Sequence, residues 1–322
     1  MAYLSVVTGL VLLIIAGDIL VRGSVSLARR LGIPTLVIGL TIVAFGTSAP
    51  ELVVGVKAVL ADAPTLALGN VVGSNIANIL LVIGTPALIL PISCSVPRLG
   101  RNIAIMLAAS VLMIAVAMTG TITWHAGAVF VALLGCFLGY SALRARTRPE
   151  AVDPLQEFDG GATKPDSVPM ATLLLLGGLV GLAVGADLLV GGSVDIATAF
   201  GVSEAVIGLT LVALGTSLPE LATAVAASWK GHGDVAVGNV VGSNIFNILG
   251  IVGVSSLVGD LPVPAGFTRV DLWIMLGTSL MLVPFYRMRK KVGRKTGAVF
   301  ITLYGAYILY LADTGATQPA LG

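Results

Sequence analysis

The chain has 322 residues, of which 57% are hydrophobic and 11% charged; its mean hydropathy is +1.02 and its formal net charge +2. A soluble domain carries about a quarter charged residues, so the composition excludes an ordinary soluble globular protein and predicts one that crosses a membrane many times. The net charge says little, because what matters is where the charges lie.

In chain order, the first apolar run continues from Val6 past Ile19 without a cleavage-like site, so it reads as a first spanning helix rather than a signal peptide. Apolar segments of spanning length follow near residues 34–60, 66–90, 102–119, 124–143, 170–190, 203–229, 235–257, 271–286 and 297–312. With the first, near 3–21, this predicts an all-α membrane protein of ten transmembrane helices. The one long hydrophilic stretch, rich in Pro, Gly, Asp and Lys, marks residues 144–168 as a linker between two five-helix units, 1–143 and 169–322. Five is odd, so a second unit like the first must insert upside down, giving inverted repeats. The basic residues test this count. With the N-terminus outside, the predicted inside loops hold Arg22, Arg29, Arg30, Arg98, Arg101, Arg144, Arg146, Arg148, Lys164, Lys230, Arg287, Arg289, Lys290, Lys291, Arg294 and Lys295, which is 16 of the 18. Only Lys57 and Arg269 fall outside. Both termini are therefore expected outside. Cys94 and Cys136 are isolated, form no metal or redox spacing, and are expected to be buried and structural.

The two units share a text. Residues 36–84 and 205–253, 169 apart, align without a gap with 28 identities in 49 positions. Each copy carries Gly-Thr-Ser-x-Pro-Glu inside an apolar span, ending at Glu51 and Glu220. Pro50 lacks an N–H and its ring crowds the carbonyl four residues back, so the helix must kink or unwind there. Unwinding would free backbone carbonyls around Ala44 to Thr47, and in a bilayer such groups must find partners. A proline kink satisfied by Ser and Thr hydroxyls is the plainer alternative. The recurrence of an acid directly after each proline favours a cation site, since an unpaired carboxylate at mid-depth is costly.

A second shared phrase, Gly-Asn-Val-Val-Gly-Ser-Asn, begins at Gly69 and Gly238. Asn70, Ser74 and Asn78 recur every four residues, as do Asn239, Ser243 and Asn247, so each trio lies on one helix face. The glycines at the same spacing suit close helix packing. Asn70, Asn75, Asn239 and Asn244 are expected to act as interhelical hydrogen-bond glue, and Ser74, Asn78, Ser243 and Asn247 as ion ligands. Two carboxylates with neutral oxygens suit a hard cation such as Ca²⁺. Soft or borderline metals would want Cys or His, and His125 and His232 fall at predicted loops.

At these residues the chain resembles the sodium/calcium exchangers of the cation/calcium exchanger superfamily, in their prokaryotic form without a large regulatory loop. The resemblance implies exchange of Na⁺ for Ca²⁺ by alternating access. It implies that Glu51 and Glu220 bind Ca²⁺ directly, with the carbonyls of Thr47 and Thr216. Na⁺ would use the carbonyls of Ala44 and Ala213, the Thr47 and Thr216 hydroxyls, and Ser48, Ser74, Ser217 and Ser243. Asn78 and Asn247 fall at the central position of the third and eighth helices, where some relatives, potassium-dependent members among them, carry an aspartate; Asn at both argues against K⁺ co-transport. The first and sixth helices are, by resemblance, candidates for sliding gates.

Two ionised glutamates would balance one Ca²⁺, whereas three Na⁺ in the same cavity would leave +1. Membrane voltage should then act on the cycle at about 2.3 kcal/mol per charge per 100 mV. Both ions need the same carboxylates and should compete, and an empty site at −2 should resist moving through lipid. Asp18 and Asp187 correspond across the repeat and are expected to cap or to pair. The Arg287 to Lys295 cluster reads as a topogenic inside loop. No cofactor is expected; the expected partners are Ca²⁺, Na⁺ and the bilayer, not nucleic acid, for a monomer in the cell membrane. The rival readings are a proton/calcium or potassium-dependent antiporter of the same superfamily, and a channel using the acids as a selectivity ring. No zinc motif, nucleophile elbow or phosphate loop suggests an enzyme.

Overall fold

A computed structural model describes residues 2–32, 35–94, 98–147, 166–199 and 213–317. It is helical almost throughout. Helix α1 spans Ala2–Leu31. A broken pair follows, α2 (Gly39–Thr47) and α3 (Ala49–Leu60), bent by 48° at Ser48. Next come α4 (Pro64–Ile89), α5 (Leu99–Ala117) and α6 (Trp124–Thr147). The second half holds α7 (Val168–Ala199), the short α8 (Ala213–Thr216), α9 (Leu218–Trp229), α10 (Gly233–Val258), α11 (Phe267–Arg287) and α12 (Arg294–Thr317). Among the described residues, seven helices are long and apolar enough to cross a membrane, or eight with the α2/α3 pair counted as one span. The first part of the expected 203–229 span, and residues 148–165 of the expected linker, lie outside the described residues.

Two boundaries differ from the sequence reading. α1 was expected to end near residue 21 but continues through Arg22, Arg29 and Arg30 to Leu31. Nothing in that stretch breaks a helix; Gly32, with φ +62°, ends it in the left-handed region that glycine adopts without steric cost. α7 likewise runs past residue 190. At 1.5 Å per residue, 30 residues measure about 45 Å, longer than a hydrocarbon core of about 30 Å, so α1 must tilt or project beyond it.

Burial separates an inner layer from an outer one. All of the best spanning window of α10 is buried and 78% of that of α4, against 33% for α1 and 28% for α7. The polar second phrases therefore run through the middle of the molecule, while α1 and α7 turn Leu4, Val7, Leu10, Leu173 and Val180 outward. α1 and α7 pack together along their length, backbone against backbone. A Cβ on Gly9 would lie 2.6 Å from the Leu189 nitrogen, and one on Gly178 would lie 2.7 Å from the Leu20 nitrogen.

Two short antiparallel clips join the halves. β1 (Ile92–Ser93) pairs with β4 (Lys291–Val292), and β2 (Thr121–Ile122) pairs with β3 (Leu261–Pro262). β1 precedes α5 and β2 follows it, so some 28 Å of helix (19 residues) separates the clips. Ion pairs add to them. Arg22 and Asp166, just before α7, are paired at 2.9 Å, and Ser26 Oγ donates to the same carboxylate at 3.1 Å. Asp18, expected to cap or to pair, pairs with Lys230 at 2.7 Å; because α1 runs on to Leu31 it lies in mid-helix rather than near an end. Asp187 is exposed. Cys94 is buried, and burial pushes its thiol up to about 11. Cys136, expected buried, is exposed: it lies on an outward face of α6, where a bilayer takes the place of a protein core. His125 lies in the first turn of α6, not in a loop, stacked on Trp124 at 3.7 Å; His232 immediately precedes α10.

Candidate cation site

Each proline does what its chemistry requires, within a narrow span. Pro50 and Pro219 open α3 and α9, where a missing N–H costs nothing. The break is confined to one residue, Ser48 (φ −86°, ψ 3°) or Ser217 (φ −89°, ψ 2°). The extended unwinding expected around Ala44 to Thr47 does not occur: these residues stay helical, and the Ser48 N–H donates to the Ala44 carbonyl at 3.0 Å. The Thr47 hydroxyl lies 3.4 Å from the same carbonyl. Ala213 opens α8, and after it the Ser217 N–H donates to the Leu214 carbonyl at 3.1 Å.

The breaks bring the acids to the first turn of α3 and α9, inside the molecule. Glu51 is 1% exposed and Glu220 is fully buried. The two carboxylates are near enough to repel one another. Ser48 Oγ donates to Glu220 Oε1 at 3.1 Å, across the two halves, and Thr47 and Ser243 lie beside the same carboxylate. α3 packs on α4 of its own half and on the segment Asn247–Val252 of α10, and α9 on α10 of its own half and on Asn78–Val82 of α4, so each acid-bearing helix meets the polar helices of both halves. Both segments are π-helical: the Ile83 N–H reaches five residues back to the Asn78 carbonyl at 3.3 Å. Such wide turns recur at functional sites.

Ser74, Ser243, Asn78 and Asn247 are all buried. Eight buried side-chain oxygens of the expected ligand set have no hydrogen-bond partner among the described residues: Glu51 Oε1 and Oε2, Glu220 Oε2, the hydroxyls of Ser74, Ser217 and Ser243, and Oδ1 of Asn78 and Asn247. An unpaired buried polar group costs about 1–3 kcal/mol. The donor set is all oxygen with two carboxylates, which suits a hard cation of six to eight ligands.

The asparagines assigned to helix packing have more specific partners. Asn244 accepts from Asn78 Nδ2 at 3.0 Å and donates to the Asn75 carbonyl at 3.3 Å, which is interhelical glue as expected. Asn239 instead accepts from Thr47 Oγ1, and Asn70 from Thr216 Oγ1, each at 3.2 Å. Spacing alone gave no sign of these pairs, because each joins one half to the other.

A family model described as sodium/calcium exchanger protein matches residues 1–143 and 170–312. The chain belongs to the sodium/calcium exchanger family. It is 37% identical over 309 residues to a putative antiporter, CaxA, of Alkalimonas amylolytica, covering 95% of this chain and 97% of that one. It is 32% identical to the sodium/calcium exchanger MaX1 of Methanosarcina acetivorans, covering 96% and 98%. Among solved structures it is similar to the sodium-calcium exchanger NCX_Mj soaked with Na⁺ and Ca²⁺, with TM-score 0.83, 35% identity, and coverage of 96% and 98%. The protein is thus a membrane antiporter of an ion-exchanging family.

Proposed function

We propose that this protein exchanges Na⁺ for Ca²⁺ by alternating access, with both ions competing for one central site built on Glu51 and Glu220. The observation that carries the reading is the pair of buried carboxylates, one from each half, beside buried oxygens that lack partners among the described residues. Ca²⁺ would take both carboxylates and the Thr47 and Thr216 carbonyls. Na⁺ would use the carbonyls of Ala44 and Ala213, the hydroxyls of Thr47, Thr216, Ser48, Ser217, Ser74 and Ser243, and the same acids. Asn78 and Asn247 would complete the set from the π turns. One Ca²⁺ neutralises the two glutamates and three Na⁺ leave +1, so exchange would be electrogenic.

The accompanying architecture is ten spans in two inverted five-helix repeats, residues 1–143 and 169–322, with both termini outside and the 144–168 linker in the cytoplasm. Two features support inversion: clips at opposite ends of α5 and α11 pair strands of different halves, and each acid-bearing helix packs on the stripe of the other half. The protein would work as a monomer in the cell membrane.

The test is ⁴⁵Ca²⁺ uptake into proteoliposomes under outward Na⁺, H⁺ or K⁺ gradients, with the membrane voltage clamped by valinomycin. The Na⁺ gradient alone should drive strong uptake, and an inside-positive voltage should change its rate. Equal uptake on a proton gradient would replace Na⁺ by H⁺ in this reading.

A further inference from the structure

Asn70 and Asn239 stand behind the threonines rather than among the unpaired oxygens. Their two bonds are repeat equivalents: Thr47 Oγ1 donates to Asn239 Oδ1, and Thr216 Oγ1 to Asn70 Oδ1, both at 3.2 Å and both from one half to the other; for Thr47 the amide oxygen is nearer than the alternative acceptor, the Ala44 carbonyl at 3.4 Å. A threonine hydroxyl has one proton and two lone pairs. An amide oxygen that takes the proton leaves the lone pairs for a cation. An amide nitrogen in the same place would occupy a lone pair and turn the proton toward the ions. For Asn70 the orientation is held from the far side, because its Nδ2 donates to the Glu51 backbone carbonyl at 3.4 Å. The amide therefore ties the Thr216 hydroxyl of one half to the acid-bearing turn of the other.

We propose that Asn70 and Asn239 are positioning residues that take the threonine protons, turn the hydroxyl lone pairs of Thr216 and Thr47 toward the transported ion, and so set the affinity for Na⁺ more than that for Ca²⁺. This rests on the exchange reading above. Na⁺ brings one charge and depends more on oriented neutral dipoles. Ca²⁺ draws most of its stabilisation from two carboxylates, and neither asparagine bonds to a carboxylate.

The experiment uses the full chain in proteoliposomes and measures half-saturating Na⁺ and Ca²⁺ separately. Asn70→Ala and Asn239→Ala should each raise half-saturating Na⁺ about five- to tenfold, the worth of one hydrogen bond, while moving Ca²⁺ by no more than about twofold. Asn70→Ala should add nothing to Thr216→Val, its partner, but add fully to Thr47→Val; Asn239→Ala should behave in mirror image. In a Thr216→Ser background, which keeps the hydroxyl, Asn70→Ala should still raise half-saturating Na⁺. Equal shifts for both ions, or full additivity of Asn70→Ala with Thr216→Val, would reduce the asparagines to packing. If an alanine variant fails to fold, Asn70→Ser and Asn239→Ser, which lose the amide but keep a polar side chain, carry the same crosses. If wild type takes up no Ca²⁺ on a Na⁺ gradient, the exchange reading falls. The positioning role is then still read in detergent, from the thermal stabilisation given by NaCl over choline chloride. Matching loss of that shift in Asn70→Ala and Thr216→Val sustains the role, and an unchanged shift overturns it.

Discussion

The contact between α1 and α7 obeys the repeat, whereas the carboxylate pair does not. Gly9 meets Leu189 and Gly178 meets Leu20, at 2.6 and 2.7 Å to the backbone nitrogen, and both partners are shifted by the same 169 residues. The Thr47–Asn239 and Thr216–Asn70 bonds are symmetric too. At the acids, Ser48 donates to Glu220, but the counterpart bond from Ser217 to Glu51 is not formed, and both Glu51 oxygens are unpaired among the described residues. Identical phrases thus acquire unequal surroundings where they meet, while the frame around them stays symmetric.

The largest effect should erase this difference. On the proposed exchange, Glu51→Gln and Glu220→Gln should each lower Na⁺-driven ⁴⁵Ca²⁺ uptake on the order of a hundredfold or more, because Ca²⁺ would lose one of two buried charges whichever half supplies it. Near-normal uptake by either variant would remove that acid from the site. The symmetric frame predicts matched costs. Gly9→Ala and Gly178→Ala should each destabilise by about 1–3 kcal/mol, since the added methyl meets backbone that cannot step aside. Gly177→Ala, with nothing within 4 Å, should be near neutral. Thermal unfolding in detergent reads all three, and unequal costs at Gly9 and Gly178 would break the symmetry argument.

The acids predict unmatched costs in ion-free buffer. Ser48→Ala should destabilise by about 1 kcal/mol, because it leaves Glu220 Oε1 unpaired, and Ser217→Ala should lie within about 0.5 kcal/mol of wild type. Equal losses would mean that the two serines are interchangeable. The smallest effect belongs to Arg22, whose repeat counterpart is Gly191. The guanidinium beside Asp166 holds that carboxyl below the usual carboxylate range. A depressed folded value gives stability that is present above the unfolded value of about 3.9 and is lost as pH falls through the folded one. Melting curves of wild type and Arg22→Gln should therefore differ slightly at neutral pH and converge in acid. A constant gap down to low pH would assign the difference to packing.

Much of this was legible from local patterns. Glu51, Glu220 and the polar stripes stand out because a bilayer makes each buried polar group costly, so those that persist need a reason. The proline breaks follow from a missing N–H. Less legible were the outward face of Cys136, the full length of α1, and the pairing of Asn70 with Thr216, since each depends on what packs alongside rather than on neighbours in the chain. Sequence by itself determined the membrane class, the duplicated phrases, the oxygen-donor set and the family they imply. Tertiary structure alone decided which hydroxyl reaches which carboxylate, which amide lies behind which threonine, and that the break is a single residue wide. The reason is that these contacts join positions more than a hundred residues apart. Packing of four helices fixes their geometry, and no periodicity within one helix encodes it.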